Sequence, residues 1–205
     1  MLNYREMTAA DNEAVAALIR DNLKQYGLDI PGTVYFDEGL DRLSEYYGKR
    51  ERRYFVIEDD AGKVIGGIGY AAFEHMKDTA ELQKLYLAYS AKGSGLGYEL
   101  IDLIEKKMRV AGFRQSYLET HDNLQAAIHI YEKCGYKEIP HPEEVGHSAM
   151  NMFFVKELYG SVQGVGFRWR AKNAAEHYSC TGWARNEWDV RYPWRFRERK
   201  MQLNL

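Results

Sequence analysis

No stretch of this 205-residue chain reaches the roughly 18 consecutive apolar residues that a membrane-spanning helix needs. The opening residues, 1–6, lack the charged-then-apolar pattern of a secretory signal, so a cytoplasmic protein that engages no membrane is expected. Cysteine is scarce. Cys134 and Cys180 are the only two, and their separation suits no metal site. Both are expected as free thiols in a reducing compartment. His129, His141 and His147 have no partner at ligand spacing, so no metal is expected. Internal repeats and low-complexity segments are absent as well.

What is present is an ordinary globular composition, 45% hydrophobic and 28% charged. The net charge of −2 hides an asymmetry: residues 1–157 hold 19 Lys and Arg against 26 Asp and Glu, whereas residues 158–205 hold 9 against 4. A basic end can serve nucleic acid, but a separate origin for this segment accounts for it without such a partner.

Periodicity sets the element order. Residues 2–6 read as a strand, and Thr8 offers a cap to a helix carrying Val15, Leu18, Ile19 and Leu23, which closes near Gly27. A second helix is expected over 38–47, then a hairpin of strands 53–58 and 63–73 about the turn 59–62. A strand over 80–88 feeds a glycine turn and a helix with Leu100, Ile101, Ile104 and Met108 on one face, ending at Gly112. Strand 115–119, helix 123–133, a strand from Tyr136 and a last strand over 149–158 complete the order βααβββαβαβ-β. Early hairpins followed by helical crossovers give an α/β (mixed α+β) fold built on a mixed sheet. Alternation along the strand 80–88 puts Glu81 and Gln83 on one face, with Leu82 and Lys84 on the other.

The glycine turn is Lys92-Gly93-Ser94-Gly95-Leu96-Gly97. Three alternate glycines at a helix N-terminus leave main-chain N–H groups bare where the helix dipole favours an anion, and Lys92 adds a positive charge. A phosphate-bearing ligand is expected. A Walker A loop needs Lys-Ser/Thr after its last glycine, and Tyr98-Glu99 stands there instead. A dinucleotide fingerprint is the closer rival, with Glu119 at ribose-binding distance, but its third glycine falls one position early.

The turn resembles the acyl-CoA loop of the GNAT (general N-acetyltransferase) superfamily, Gln/Arg-x-x-Gly-x-Gly/Ala, with Lys92 in first place. A second family motif, Asn-x-x-Ala-x-x-x-Tyr-x-x-x-Gly-Phe/Tyr, is similar to the run from Asn123 through Ala127 and Tyr131 to Gly135-Tyr136, with Asn123 one residue early. The resemblance covers residues 1 to about 157 and implies the GNAT fold, a mostly antiparallel mixed sheet flanked by helices. It implies direct transfer of the acetyl group of acetyl-CoA, as co-substrate, to a primary amine of a small molecule or peptide. The CoA contacts it implies are Leu87, Lys92, Gly93, Ser94, Gly95, Leu96, Gly97 and Asn123, with the Leu87 region supplying an N–H to the thioester oxygen. Asn123 also reads as the cap of its helix. Glu81 is the implied base, directly or through water, and Tyr131 the implied acid toward the departing sulfur. The acidic body favours a cationic acceptor. A homodimer is compatible with the resemblance, and a non-catalytic acyl-CoA-binding module is an alternative to the enzyme.

Residues 159–168 and 181–186 resemble a different family, the acylphosphatases, through Gly-x-Val-Gln-Gly-Val-x-Phe-Arg and Gly-Trp-Val-x-Asn. That resemblance implies a phosphate cradle at 163–168, with Arg168 binding phosphate and Asn186 orienting water. The expected organisation is a GNAT domain over 1–157, an incomplete ferredoxin-like acylphosphatase segment over 158–189, and a basic tail over 190–205. The tail departs from the acylphosphatase pattern abruptly after Asp189, as a shift of reading frame would produce, and the segment is expected to be inactive unless its missing half is supplied. A completed unit would make acyl-phosphate hydrolysis the rival activity. The strand 153–158 is claimed by both resemblances.

Overall fold

The computed structural model describes residues 2–143, 145–158, 180–184 and 194–198. Two compact units divide the chain, Met1–Tyr159 and Gly160–Leu205. In the first, β1 (Asn3–Glu6), α1 (Asn12–Gln25), α2 (Leu43–Tyr47), β2 (Arg52–Glu58), β3 (Val64–Ala72) and β4 (Thr79–Leu87) are followed by α3 (Leu96–Ala111), β5 (Gln115–Thr120), α4 (Gln125–Lys133), β6 (Lys137–Ile139) and β7 (Met152–Glu157). The expected order of elements is borne out. The expected helix over 38–47 is shorter, because a 3-10 turn at Leu40–Arg42 precedes α2 and Arg42 leaves helical geometry at φ −135°.

One seven-stranded sheet runs β1-β2-β3-β4-β5-β7-β6. Every neighbouring pair is antiparallel except β4 with β5. The contested strand belongs to this sheet: β7 lies between β5 and β6, from Gln115 opposite Glu157 to Thr120 opposite Met152. In the second unit, β8 (Cys180–Ala184) and β9 (Trp194–Glu198) form an antiparallel pair.

Strand alternation sorts the core into two faces. Phe55 and Ile57 of β2 join Leu100, Ile104 and Met108 beneath α3, while Tyr54 and Val56 join Val15, Ile19 and Leu23 beneath α1. The glycines of β3 follow from the second face. A methyl group on Gly67 or Gly69 would stand 2.5 or 2.6 Å from the Tyr54 ring, so only glycine lets that ring lie flat on the sheet.

Tyr54 in turn fixes the neighbouring strand. Gly69 pairs with Gln83 but Gly67 pairs with Tyr86, so β4 carries one extra residue at Lys84–Leu85. The Tyr54 hydroxyl donates to the Lys84 carbonyl at 2.9 Å, and Lys84 holds φ 53°. This bulge corrects the expected facing of Lys84. Leu82, Leu85 and Leu87 pack toward α3, whereas Lys84 turns to the side of Glu81 and Gln83, within range of the Glu81 and Asp37 charges.

The Tyr54 niche predicts a clear stability contrast. Gly69→Ala, whose methyl would also meet Tyr47 at 2.9 Å, should cost about 1–3 kcal/mol in urea unfolding. Gly39→Ala, with nothing within 4 Å, should stay within about 0.5 kcal/mol.

Candidate active site

β4 and β5 pair only from Thr79–Gln115 to Glu81–Tyr117, after which the two strands part. A cleft of about 400 Å³ opens between them, running from the glycine turn along β4 to Glu81, Glu119 and His147.

At one end, Gly93 and Gly95 sit at φ 77° and 90°, conformations that favour glycine, and Gly95 leads directly into α3. Gly97 is buried, and a methyl there would press on Ile130 at 3.0 Å. Among the described residues, no acceptor meets the main-chain N–H of Gly93, Ser94, Gly95, Leu96 or Gly97. Five successive N–H groups at the N-terminus of a 16-residue helix fit a pyrophosphate. Ser94 contributes main chain alone, since its hydroxyl donates to Ala91 O at 2.7 Å. The Lys92 ammonium is turned onto α1, donating to Gln25 at 2.8 Å and lying 4.9 Å above the Tyr26 ring.

Midway, Ala88 N–H donates to Ile65 O at 2.8 Å. By the alternation of an antiparallel ladder, the adjacent Gly66–Leu87 pair is not hydrogen-bonded, so Leu87 N–H points away from β3 toward the opening. The Leu87 carbonyl is taken by the Asn22 side chain at 3.1 Å. Tyr131 of α4 lines the same stretch. Burial pushes its hydroxyl well above the ordinary tyrosine range; among the described residues that hydroxyl makes no hydrogen bond and, not being sealed in protein, it opens on the cleft.

Asn123 is placed differently from expectation. Leu124, not Asn123, occupies the cap position of α4, and the Asn123 amide donates to Tyr26 O at 3.0 Å, tying the turn before α4 to the end of α1. The tertiary carbonyl outcompetes the local cap.

The far end holds the acid–base groups. Burial pushes the Glu81 carboxyl up; a hydrogen bond from Gln83 at 2.6 Å opposes that rise and the Glu119 charge adds to it. Gln83 is itself oriented by the Tyr47 hydroxyl at 2.9 Å. Glu119 accepts from Gly146 N at 2.7 Å, His147 N at 3.2 Å and the Tyr117 hydroxyl at 3.2 Å. His147 also bonds Asp37 at 3.1 Å. Burial opposes ionisation of Asp37, but that bond and the His147 and Lys84 charges hold its carboxyl below the usual range. Lys84 goes the other way: burial pulls its ammonium down against the Asp37 and Glu81 charges.

The cleft thus gathers Glu81, Leu87, Tyr131 and the glycine turn, as expected from sequence. It adds Lys84, Glu119 and His147, the last of these bonded to Asp37. Arg168 and Asn186 lie outside the described residues. Among the described residues no cluster of His, Cys, Asp or Glu could hold a metal, and no helix is long and apolar enough to cross a membrane.

Because Glu119 pins the loop at 146–147, Glu119→Gln should speed hydrogen exchange at the Gly146 and His147 amides by at least about tenfold, the loss of a charge-assisted bond. Amide-resolved exchange checks this.

The model of the "Acetyltransferase (GNAT) family" matches residues 16–136, and that of "Acylphosphatase" matches residues 155–194. An uncharacterized N-acetyltransferase of Escherichia coli strain K12, YjgM, is 34% identical over 157 residues, covering 75% of this chain and 93% of the relative. A spermidine N(1)-acetyltransferase of Vibrio cholerae is 29% identical, covering 62% and 71%. Among solved structures, a GNAT-family acetyltransferase of Staphylococcus aureus superposes with a TM-score of 0.70 at 17% identity, covering 78% of this chain and 100% of that one. The PaiA N-acetyltransferase of Thermoplasma acidophilum, solved in complex with coenzyme A, gives 0.62 at 18% identity over 77% and 99%. These likenesses support the fold, and the family model together with the 34% relative shows that the chain belongs to the GNAT family of acetyltransferases.

Proposed function

We propose that this chain transfers the acetyl group of acetyl-CoA to a primary amine of a small molecule or peptide, by direct attack within the cleft. The observation that carries the reading is the parting of β4 and β5, which leaves an anion cradle at one end, an N–H midway and a carboxyl of raised pKa at the other. Acetyl-CoA supplies the activated acyl group. The N–H groups of residues 93–97 bind its pyrophosphate. Leu87 N–H donates to the thioester oxygen as negative charge builds there.

An amine with an ordinary pKa of about 10 arrives protonated. Glu81 takes that proton, directly or through water, and burial makes its carboxylate a better base than an exposed glutamate. As the C–N bond forms and the C–S bond breaks, Tyr131 gives its proton to the sulfur and regains one as the nitrogen of the new amide sheds its second proton. The same burial that raises its pKa keeps it protonated until then. Cys134 takes no part, since burial pushes its thiol up and it is not among the cleft-lining residues. A cytoplasmic setting fits this chemistry, because acetyl-CoA is held there.

A second activity, hydrolysis of acyl phosphates by the C-terminal segment, is supported by the acylphosphatase match at 155–194. Release of phosphate from acetyl phosphate tests it separately.

Glu81→Gln should lower kcat by about 10²–10⁴ while acetyl-CoA binding, read by calorimetry, changes little. The base must be ionised, so kcat/KM should fall as pH drops through the raised pKa of Glu81. That acid limb should lie above the roughly 4.3 of a free glutamate and vanish in the Gln variant. Tyr131→Phe should lower kcat more than it weakens acetyl-CoA binding; equal rates in the two proteins would leave Tyr131 as packing alone.

A further inference from the structure

Most charged groups lining the cleft are already matched by protein partners. His147 is bonded to Asp37, Glu119 accepts two main-chain N–H groups and a tyrosine hydroxyl, and Lys92 is turned onto Gln25 and Tyr26. Two groups remain open. Glu81 Oε1 accepts no bond among the described residues, Gln83 being engaged with Oε2. Lys84 is half-buried and lines the cleft, yet among the described residues its ammonium donates no hydrogen bond and forms no ion pair.

An unpaired lysine on an open surface is served by water and signifies little. One held within a cleft, partly withdrawn from water, is disfavoured unless something pairs with it. Lys84 reaches this position only because the β4 bulge holds it at φ 53°, an uncommon conformation for a residue with a side chain. The fold therefore maintains a strained residue in order to present a cation three positions from Glu81 and on the same side of the strand.

Resting on the acetyl-transfer reading of this cleft, we propose that the acceptor is an amino carboxylate, an amino-acid-like molecule whose amine faces Glu81 and whose carboxylate pairs with Lys84. Such a ligand completes both open groups at once. A polyamine would set a second ammonium against Lys84, and the like-charge contact selects against it.

The test compares matched acceptors that differ only in the carboxylate, amino acids and the amines left by their decarboxylation, with spermidine alongside, by thiol release from acetyl-CoA. The native protein should favour the amino acid in kcat/KM by at least about 30-fold, as for a charge-assisted pair. Lys84→Met and Lys84→Gln should both collapse that ratio toward one, and Lys84→Arg should restore part of it. A ratio near one in the native protein, a ratio unmoved by both neutral variants, or spermidine as the preferred acceptor overturns the proposal.

Calorimetric titration of the preferred amino acid into the CoA-loaded protein separates this proposal from the reaction. Binding that weakens about 30-fold in the neutral Lys84 variants, with no thiol released by the native protein, sustains the carboxylate site and overturns acetyl transfer. Failure of any amino acid to bind the CoA-loaded native protein overturns the carboxylate site, whatever amines are acetylated.

Discussion

The hydrogen bond from the Tyr54 hydroxyl to the Lys84 carbonyl, made beneath a strand of glycines, is the constraint on which the cleft depends. It secures the extra residue in β4, and everything beyond the bulge takes its facing from it. Without the insertion, Leu85 and Leu87 would swap faces with Tyr86, moving apolar side chains out of the core beneath α3. With it, Leu87 N–H and the side of β4 carrying Glu81 and Lys84 are directed to the opening. Gly67 and Gly69 serve the same end, since only a side-chain-free backbone admits the Tyr54 ring.

The two ends of the cleft use different physics. The glycine-turn end, where CoA is proposed to bind, offers main-chain dipoles: a row of N–H groups at the start of α3, held by left-handed glycines, with little dependence on side-chain charge. The other end, proposed to take the acceptor, offers ionisable groups whose environments push their pKa values apart. Burial raises the Glu81 carboxyl and lowers the Lys84 ammonium, while the bond from His147 holds Asp37 down. A carboxyl raised by burial and an ammonium can therefore coexist beside the other carboxylates, because each carboxylate has its own hydrogen-bond donors.

Local chemistry made much of this legible in advance. The glycine turn, the order of elements and Tyr131 depend on short-range rules, namely glycine conformations, helix periodicity and a fixed spacing before Gly135. Lys84 was not legible, because strand alternation carries no mark of an inserted residue, although three glycines within Gly66–Gly69 are a signal that something packs closely on β3. Asn123 reads locally as a cap, and only the fold reveals that the Tyr26 carbonyl competes for its amide. The pairing of Asp37 with His147 joins residues 110 apart in sequence, and Glu119 is buttressed by a loop 27 residues on. No single-sequence pattern records contacts of that kind. Both family resemblances are matched by family models, with the strand at 152–157 going to the first sheet.

The central claim is that one continuous cleft binds CoA by main chain and presents its thioester to Leu87, Tyr131 and Glu81. A crystal structure with a non-hydrolysable acetyl-CoA analogue tests it most directly. Pyrophosphate oxygens are expected within hydrogen-bond distance of the N–H groups of residues 93–97, the thioester carbonyl at Leu87 N–H, and the sulfur beside the Tyr131 hydroxyl. A pyrophosphate held elsewhere, or a thioester outside the opening between β4 and β5, would contradict it.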